Sequence, residues 1–161
     1  MTVRVPVYDT GMLIGLADRK AKLLRLHAGL REAPHRPVVL GPVLAQVWRP
    51  HPATVHAVAG VLKDCTVPQA RSSPPAIRPV KAGQTTCIVC ATAPDLTEWQ
   101  RIGTALGTAR LPAKKRPDAV DALVALAAAR HGSAVIFTSD PDDLAGYVAA
   151  LGAQDVHVVQ V

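Results

Sequence analysis

Residues 117–144 read PDAVDALVALAAARHGSAVIFTSDPDDL and contain the clearest helix pattern of the chain. Residues 117–130 carry an aspartate in the first turn, an alanine- and leucine-rich body and a glycine just beyond the end, a pattern that predicts a helix. Residues 134–137 are wholly apolar, as expected for a short strand buried on both faces. This strand runs into Thr138, Ser139, Asp140 and Pro141, after which residues 142–151 predict another helix. The stretch therefore predicts a helix–strand–helix unit with a carboxylate, Asp140, at the carboxyl end of its strand.

The same alternation extends towards both ends of the chain. Residues 3–8 predict a strand that ends at Asp9, and residues 38–40 and 156–161 predict two more. Helices are predicted as a pair of short ones within 12–30 and then over 42–48, 52–63 and 96–106, two of them opened by proline. We therefore predict an α/β fold, a three-layer α/β/α sandwich with a mostly parallel central sheet.

The length of 161 residues is typical of one domain, so residues 1–161 are predicted to form a single unit. Residues 67–84 are rich in proline and serine and lack periodicity, which predicts an irregular excursion. Cys87 and Cys90 fall in a predicted short strand, and their C-x-x-C spacing also occurs in zinc and redox sites. Because zinc needs about four ligands and Cys65 is the only other cysteine in the sequence, packing roles are favoured for both.

Positive charge is concentrated in two segments of the chain, whose net charge is +6. One segment runs from Arg19 to Arg36, and the other contains Lys114, Lys115 and Arg116, just before the acidic helix. Such clusters attract polyanions, so the second cluster is predicted to contact phosphates of nucleic acid. No apolar run reaches the roughly 18 residues of a membrane span, and the start lacks the layout of a signal peptide. We therefore expect a cytoplasmic protein without a membrane segment.

Several aspartates are placed where they can converge. Ligands of parallel α/β sheets bind outside the carboxyl ends of the strands, so Asp9 and Asp140 are expected to face one crevice. Asp121 lies one helical turn after Asp118, which puts both on one side of a helix start. Converging carboxylates repel each other unless a divalent cation neutralises them. Magnesium and manganese prefer such oxygen ligands and can activate a bound water against a phosphodiester.

Three motifs resemble those of the PIN-domain nucleases. They are YDTGMLI at 8–14, DAVDAL at 118–123 and FTSDPDDL at 137–144, in the family's order and across nearly the whole chain. The resemblance implies a PIN-like fold and a metal-dependent endoribonuclease. Many small bacterial PIN domains are toxins of VapC-type toxin–antitoxin pairs, so it also implies RNA as substrate, an antitoxin protein as a partner and a homodimer.

Carried over by position, the resemblance implies that Asp9, Asp121 and Asp140 are catalytic ligands of Mg²⁺ or Mn²⁺. Gln46 stands where the family usually has a glutamate, and it brings a carbonyl oxygen but no charge. It would assist catalysis or fill a fourth position, with the ion held more weakly. The residues expected around these ligands are Asp118, Asp143, Thr138, Ser139 and Thr10. Those expected to contact RNA are Lys114, Lys115, Arg116, Arg19 and Lys20.

Other interpretations remain open at the level of sequence. Each of Asp9, Asp118 and Asp140 could simply cap a helix. Gln46 favours a PIN-like module that has lost catalysis and binds RNA or protein. A small-molecule phosphohydrolase with Asp9 as nucleophile is disfavoured, because no second aspartate follows two positions on and no glycine-rich phosphate loop is present.

Overall fold

The computed structural model describes residues 3–68 and 92–161. In these two segments four strands and seven helices alternate along the chain. The strands are β1 Val5–Tyr8, β2 Val38–Val39, β3 Ser133–Thr138 and β4 Asp155–Gln160. The helices are α1 Thr10–Ala17, α2 Ala21–Leu30, α3 Gly41–Val47, α4 Pro52–Leu62, α5 Leu96–Thr108, α6 Ala119–His131 and α7 Pro141–Ala150.

The elements predicted for the described segments are all present, with bounds that differ by one or two residues. Proline opens α3, α4 and α7 near their first turn, where its missing N–H costs no helical hydrogen bond. Gly132 ends α6 with a left-handed backbone, φ 85°, a conformation that glycine adopts without steric cost. The predicted strand at 87–90 and nearly all of the predicted excursion at 67–84 lie outside the described residues.

All neighbouring strands of the sheet run parallel, in the order β2-β1-β3-β4. The two central strands are in register, with Val5 opposite Ala134 and Tyr8 opposite Phe137. One more backbone hydrogen bond, from Asp9 N to Phe137 O at 3.1 Å, continues this pairing beyond the end of β1. The loops that follow β1 and β3 therefore leave the sheet side by side, which brings Asp9 next to residues 138–140.

Helices cover the sheet in a three-layer arrangement, as predicted. Helices α1 and α6 both pack on the central strands β1 and β3. Helices α2, α3 and α4 gather around α1, whereas α5 and α7 gather around α6. The core between these layers includes the buried side chains of Tyr8, Met12, Leu126, Ile136 and Tyr147. Within the described part of the chain, none of the helices has the length and apolar character needed to cross a membrane.

Candidate functional site

The first acid of the site is Asp9, which directly follows β1. This residue is only 5% exposed, and its Oδ2 accepts a hydrogen bond of 2.7 Å from Thr138 Oγ1. The same Thr138 hydroxyl oxygen accepts a bond of 2.9 Å from the backbone N–H of Asp140. Among the described residues Asp9 Oδ1 is buried without a hydrogen-bond partner. Thr138 thus ties the ends of β1 and β3 together and leaves one buried carboxylate oxygen of Asp9 unsatisfied.

Helix α6 brings two further acids to the same place. Asp118 caps the helix, since its Oδ1 accepts from Val120 N at 2.7 Å. The backbone N–H of Asp118 donates to the hydroxyl of Tyr147 at 2.8 Å, which ties the start of α6 to α7. Asp121 lies in the first turn of α6 and is partly buried.

The environment of Asp121 shows that the acids converge. Burial is the largest influence and the negative charges of four other carboxyl groups add to it, raising the pKa of Asp121 from 3.8 to about 7. Those four groups belong to Asp9, Asp118, Asp143 and Asp140. The fold therefore brings five aspartates from three separate parts of the sequence near one another.

A pH-dependent stability follows from this pKa. Between about pH 4 and about pH 7 folded Asp121 keeps a proton that the unfolded chain has released, so its presence lowers stability progressively as pH rises through this window. Asp121→Asn removes the titrating group. Because Asp121 is partly exposed, the discounted gain in the free energy of unfolding should be about 1–2 kcal/mol above about pH 7, and it should vanish near about pH 4.

Urea denaturation of both proteins with a chelator present, at several pH values, measures this difference. An equal gain at every pH would mean that packing, rather than the charge of Asp121, causes the effect.

The remaining two acids belong to the start of α7 and share a lysine. Lys115 Nζ lies 2.8 Å from Asp140 Oδ2 and 3.0 Å from Asp143 Oδ2. The hydrogen bond to Asp140 has the largest effect and that to Asp143 the next. Together they raise the pKa of Lys115 above its ordinary range, so the ammonium stays charged. Asp143 is 7% exposed, and its Oδ1 is a second buried oxygen that lacks a partner in the described segments.

Helix capping does not account for all of these aspartates. The side chains of Asp95 and Asp118 accept the capping bonds of α5 and α6. Asp9 and Asp140 hold the equivalent positions before α1 and α7, yet in the described chain neither side chain makes a capping bond. Their carboxylates are directed to Thr138 and Lys115 instead, which sets them apart from ordinary helix starts.

Gln46 lies beside the site through Thr10. Its Oε1 accepts a hydrogen bond from Thr10 Oγ1, so its carbonyl oxygen is engaged with the residue that follows Asp9. Ser139 packs closely on the first turn of α1: a Cβ added at Gly11 would lie 2.7 Å from Ser139 Cβ and 2.8 Å from Ser139 N. The absence of a side chain at Gly11 is thus what lets α1 approach the loop after β3.

The predicted RNA-contacting residues fall into two places. Lys114, Lys115 and Arg116 are exposed in the loop that leads into α6, next to the acids. Arg19 and Lys20 are exposed beyond the far end of α1, about 12 Å from Asp9 by the rise of that helix. The structure therefore brings the first group, and not the second, to the acidic site.

The donor set fits a hard divalent ion in chemistry and charge. It offers carboxylate oxygens, two of them buried and without partners among residues 3–68 and 92–161, and an acid, Asp121, whose pKa is raised first by burial and then by its acidic neighbours. As the side chains stand, no three His, Cys, Asp or Glu groups of the described segments are close enough together to hold a metal. The acids would have to close on an ion by side-chain rotation.

The fold and these residues define an α/β domain with a group of acidic side chains at the carboxyl edge of a parallel sheet. Comparisons with protein-family models, curated proteins and solved structures gave no match to this chain. Sequence reasoning missed three contributors: Lys115 as a partner of the acids, Tyr147 as an anchor for α6, and Gly11 as the contact with Ser139. For Tyr147 a signal was available, because it follows Asp143 by one helical turn on the same face of α7.

Proposed function

We propose that this protein is a PIN-like endoribonuclease that depends on Mg²⁺ or Mn²⁺. The observation that carries the proposal is the convergence of Asp9, Asp118, Asp121, Asp140 and Asp143, with unsatisfied buried oxygens on two of them. Unpaired buried carboxylates are costly, and a fold retains such a cost where function requires it. The three resembling motifs supply the reaction class.

In this proposal Asp9, Asp121 and Asp140 hold the ion. Such an ion would offset the negative charge of these acids and would supply activation of water for hydrolysis of a phosphodiester. Thr138 keeps Asp9 oriented by donating to Oδ2, which leaves Oδ1 free for ligation. Asp118 holds the start of α6, and thereby Asp121, in place through its cap. Gln46 positions Thr10 beside Asp9.

RNA is the proposed substrate because of the positive charge around the acids. Lys114, Lys115 and Arg116 are exposed in the loop beside the acids, so they can contact phosphates on either side of the bond that is cut. Arg19 and Lys20 would meet only a longer strand, at the other end of α1. A toxin role in the cytoplasm, with an antitoxin partner and a homodimer, rests on the family resemblance and is proposed on that basis.

The decisive test is divalent-ion dependence that is lost with a ligand. Purified protein should cut a mixed RNA pool with Mn²⁺ and stop when a chelator is added. Asp140→Asn should lower the cleavage rate about tenfold or more, because one carboxylate oxygen is replaced by a neutral amide.

Asp142→Asn is the matched control, since Asp142 is an exposed acid two residues away. It should cleave at the wild-type rate. Cleavage that persists unchanged in Asp140→Asn would defeat the enzymatic proposal.

A binding-only module is the second candidate, and the engaged carbonyl of Gln46 favours it. A protein of this kind should bind RNA without cutting it. Calorimetric titration with Mn²⁺ separates the two, because the nuclease should take up the ion in a way that Asp121→Asn removes, whereas the binding module should show no such uptake.

A further inference from the structure

Lys115 is a cation in contact with the acidic site, and it comes from the loop that leads into α6. Its ammonium lies between Asp140 and Asp143, at 2.8 and 3.0 Å. Asp143 is nearly buried, with a side chain 10% exposed, whereas the side chain of Lys115 is 41% exposed. The ammonium of Lys115 thus contacts both acids while its side chain stays open to solvent, so the lysine can leave without unfolding the site.

The backbone is built to present Lys115 in this way. Lys114 has a left-handed backbone, φ 72°, which is uncommon for a residue with a side chain, and Lys115 N donates to Pro112 O at 3.1 Å to close a tight turn. At the start of this loop, the carbonyl oxygen of Arg110 lies close to Gly146 of α7, since a Cβ added at Gly146 would be 2.7 Å from it. The loop is therefore seated against α7, the helix whose first turn carries Asp143.

A cation at this point has a direct consequence for metal uptake. Lys115 neutralises part of the charge of two acids, and a divalent ion that takes Asp140 as a ligand must displace an ammonium already in hydrogen-bonding contact with that carboxylate.

We propose that Lys115 is an exchangeable counter-ion of the acidic site: it occupies the place between Asp140 and Asp143 when no metal is bound and leaves when a divalent ion enters. This inference rests on the proposed metal-dependent function and adds its regulation. The released ammonium would stay beside the acids, where it is available to a phosphate of the substrate. Metal binding and release of the Lys115 ammonium are then coupled.

Calorimetric titration with Mn²⁺ tests the exchange. Lys115→Met should bind Mn²⁺ roughly three- to tenfold more tightly than the wild type, since the ion no longer displaces a partner of two acids. The matched control is Lys114→Met, which removes the same charge from the same turn. Lys114 makes no ion pair or hydrogen bond through its side chain to other described residues. The Mn²⁺ affinity of Lys114→Met should therefore stay near that of the wild type.

A second readout follows Lys115 itself. Acetylation of each lysine, measured by mass spectrometry, should increase at Lys115 when Mn²⁺ is added and stay constant at Lys114. Asp9→Asn, which removes a proposed ligand, should abolish the increase.

The outcomes separate the two proposals. Wild-type protein that binds Mn²⁺, with equal affinities for Lys115→Met and Lys114→Met, would overturn the exchange and leave the proposed function intact. Binding by Lys115→Met alone would support the exchange in its strongest form. If neither protein binds Mn²⁺, both the exchange and the metal-dependent function are overturned.

Discussion

Replacing Asp9 by asparagine should lower Mn²⁺-dependent RNA cleavage by at least about 100-fold. Asp9 is the most enclosed of the converging acids, and its unsatisfied Oδ1 is available to an ion in a nearly dry setting. Asparagine is almost identical in shape but has no charge, so the site loses one of the charges that would bind the ion. The ratio of kcat/KM values measures the effect, and calorimetry should show a parallel loss of Mn²⁺ affinity.

The fold of the Asp9→Asn protein should survive. The amide oxygen can still accept the bond from Thr138 Oγ1, and the removal of a buried negative charge relieves repulsion with Asp121. Its melting temperature without metal should therefore equal or exceed that of the wild type. Full activity in a folded Asp9→Asn protein would contradict the assignment of Asp9 as a ligand.

Gly11→Ala should destabilise the protein by about 1–3 kcal/mol, the usual cost of forcing atoms into a packed contact. The new Cβ would lie 2.8 Å from the backbone nitrogen of Ser139, so α1 and the loop after β3 must move apart. This movement would also separate Asp9 from Asp140, which means that cleavage should fall together with stability. Urea denaturation and cleavage assays on the same samples measure both.

Gly60→Ala is the control for Gly11→Ala. Gly60 lies inside α4, and a Cβ there would meet nothing within 4 Å among the described atoms, so alanine should stabilise the helix by about 0.5–1 kcal/mol. Combining Gly11→Ala with Ser139→Gly removes the Cβ contact but not the backbone contact, and should restore part of the lost stability. If Gly11→Ala alone is as stable as the wild type, the contact between Gly11 and Ser139 is not tight.

Much of the acidic site follows from local sequence together with one topological rule. Asp9 and Asp140 each come directly after a predicted strand, and parallel strands place their carboxyl ends at one edge. Asp121 precedes an apolar run, which indicates a carboxylate close to a buried face, and its raised pKa agrees with this position. These expectations needed only the spacing of apolar and acidic residues.

Lys115 shows where such reasoning ends. The sequence places it in a basic run whose expected partner is RNA, and no local pattern distinguishes it from Lys114. Its position between two acids depends on the left-handed turn at Lys114 and on the seating of the loop against Gly146. Arg19 is the opposite case, since a whole helix separates it from the acids despite its place in the early basic cluster.

Element type, the parallel sheet and the location of acids at strand ends were determined by the alternation of apolar and polar residues, because periodicity and turn chemistry act over a few residues at a time. The strand order β2-β1-β3-β4, the contact of Gly11 with Ser139 and the ion pairs of Lys115 came only with the folded chain. They join residues distant in sequence, or depend on the path of one irregular loop, and such contacts are selected by the packing of the whole domain rather than by any local preference.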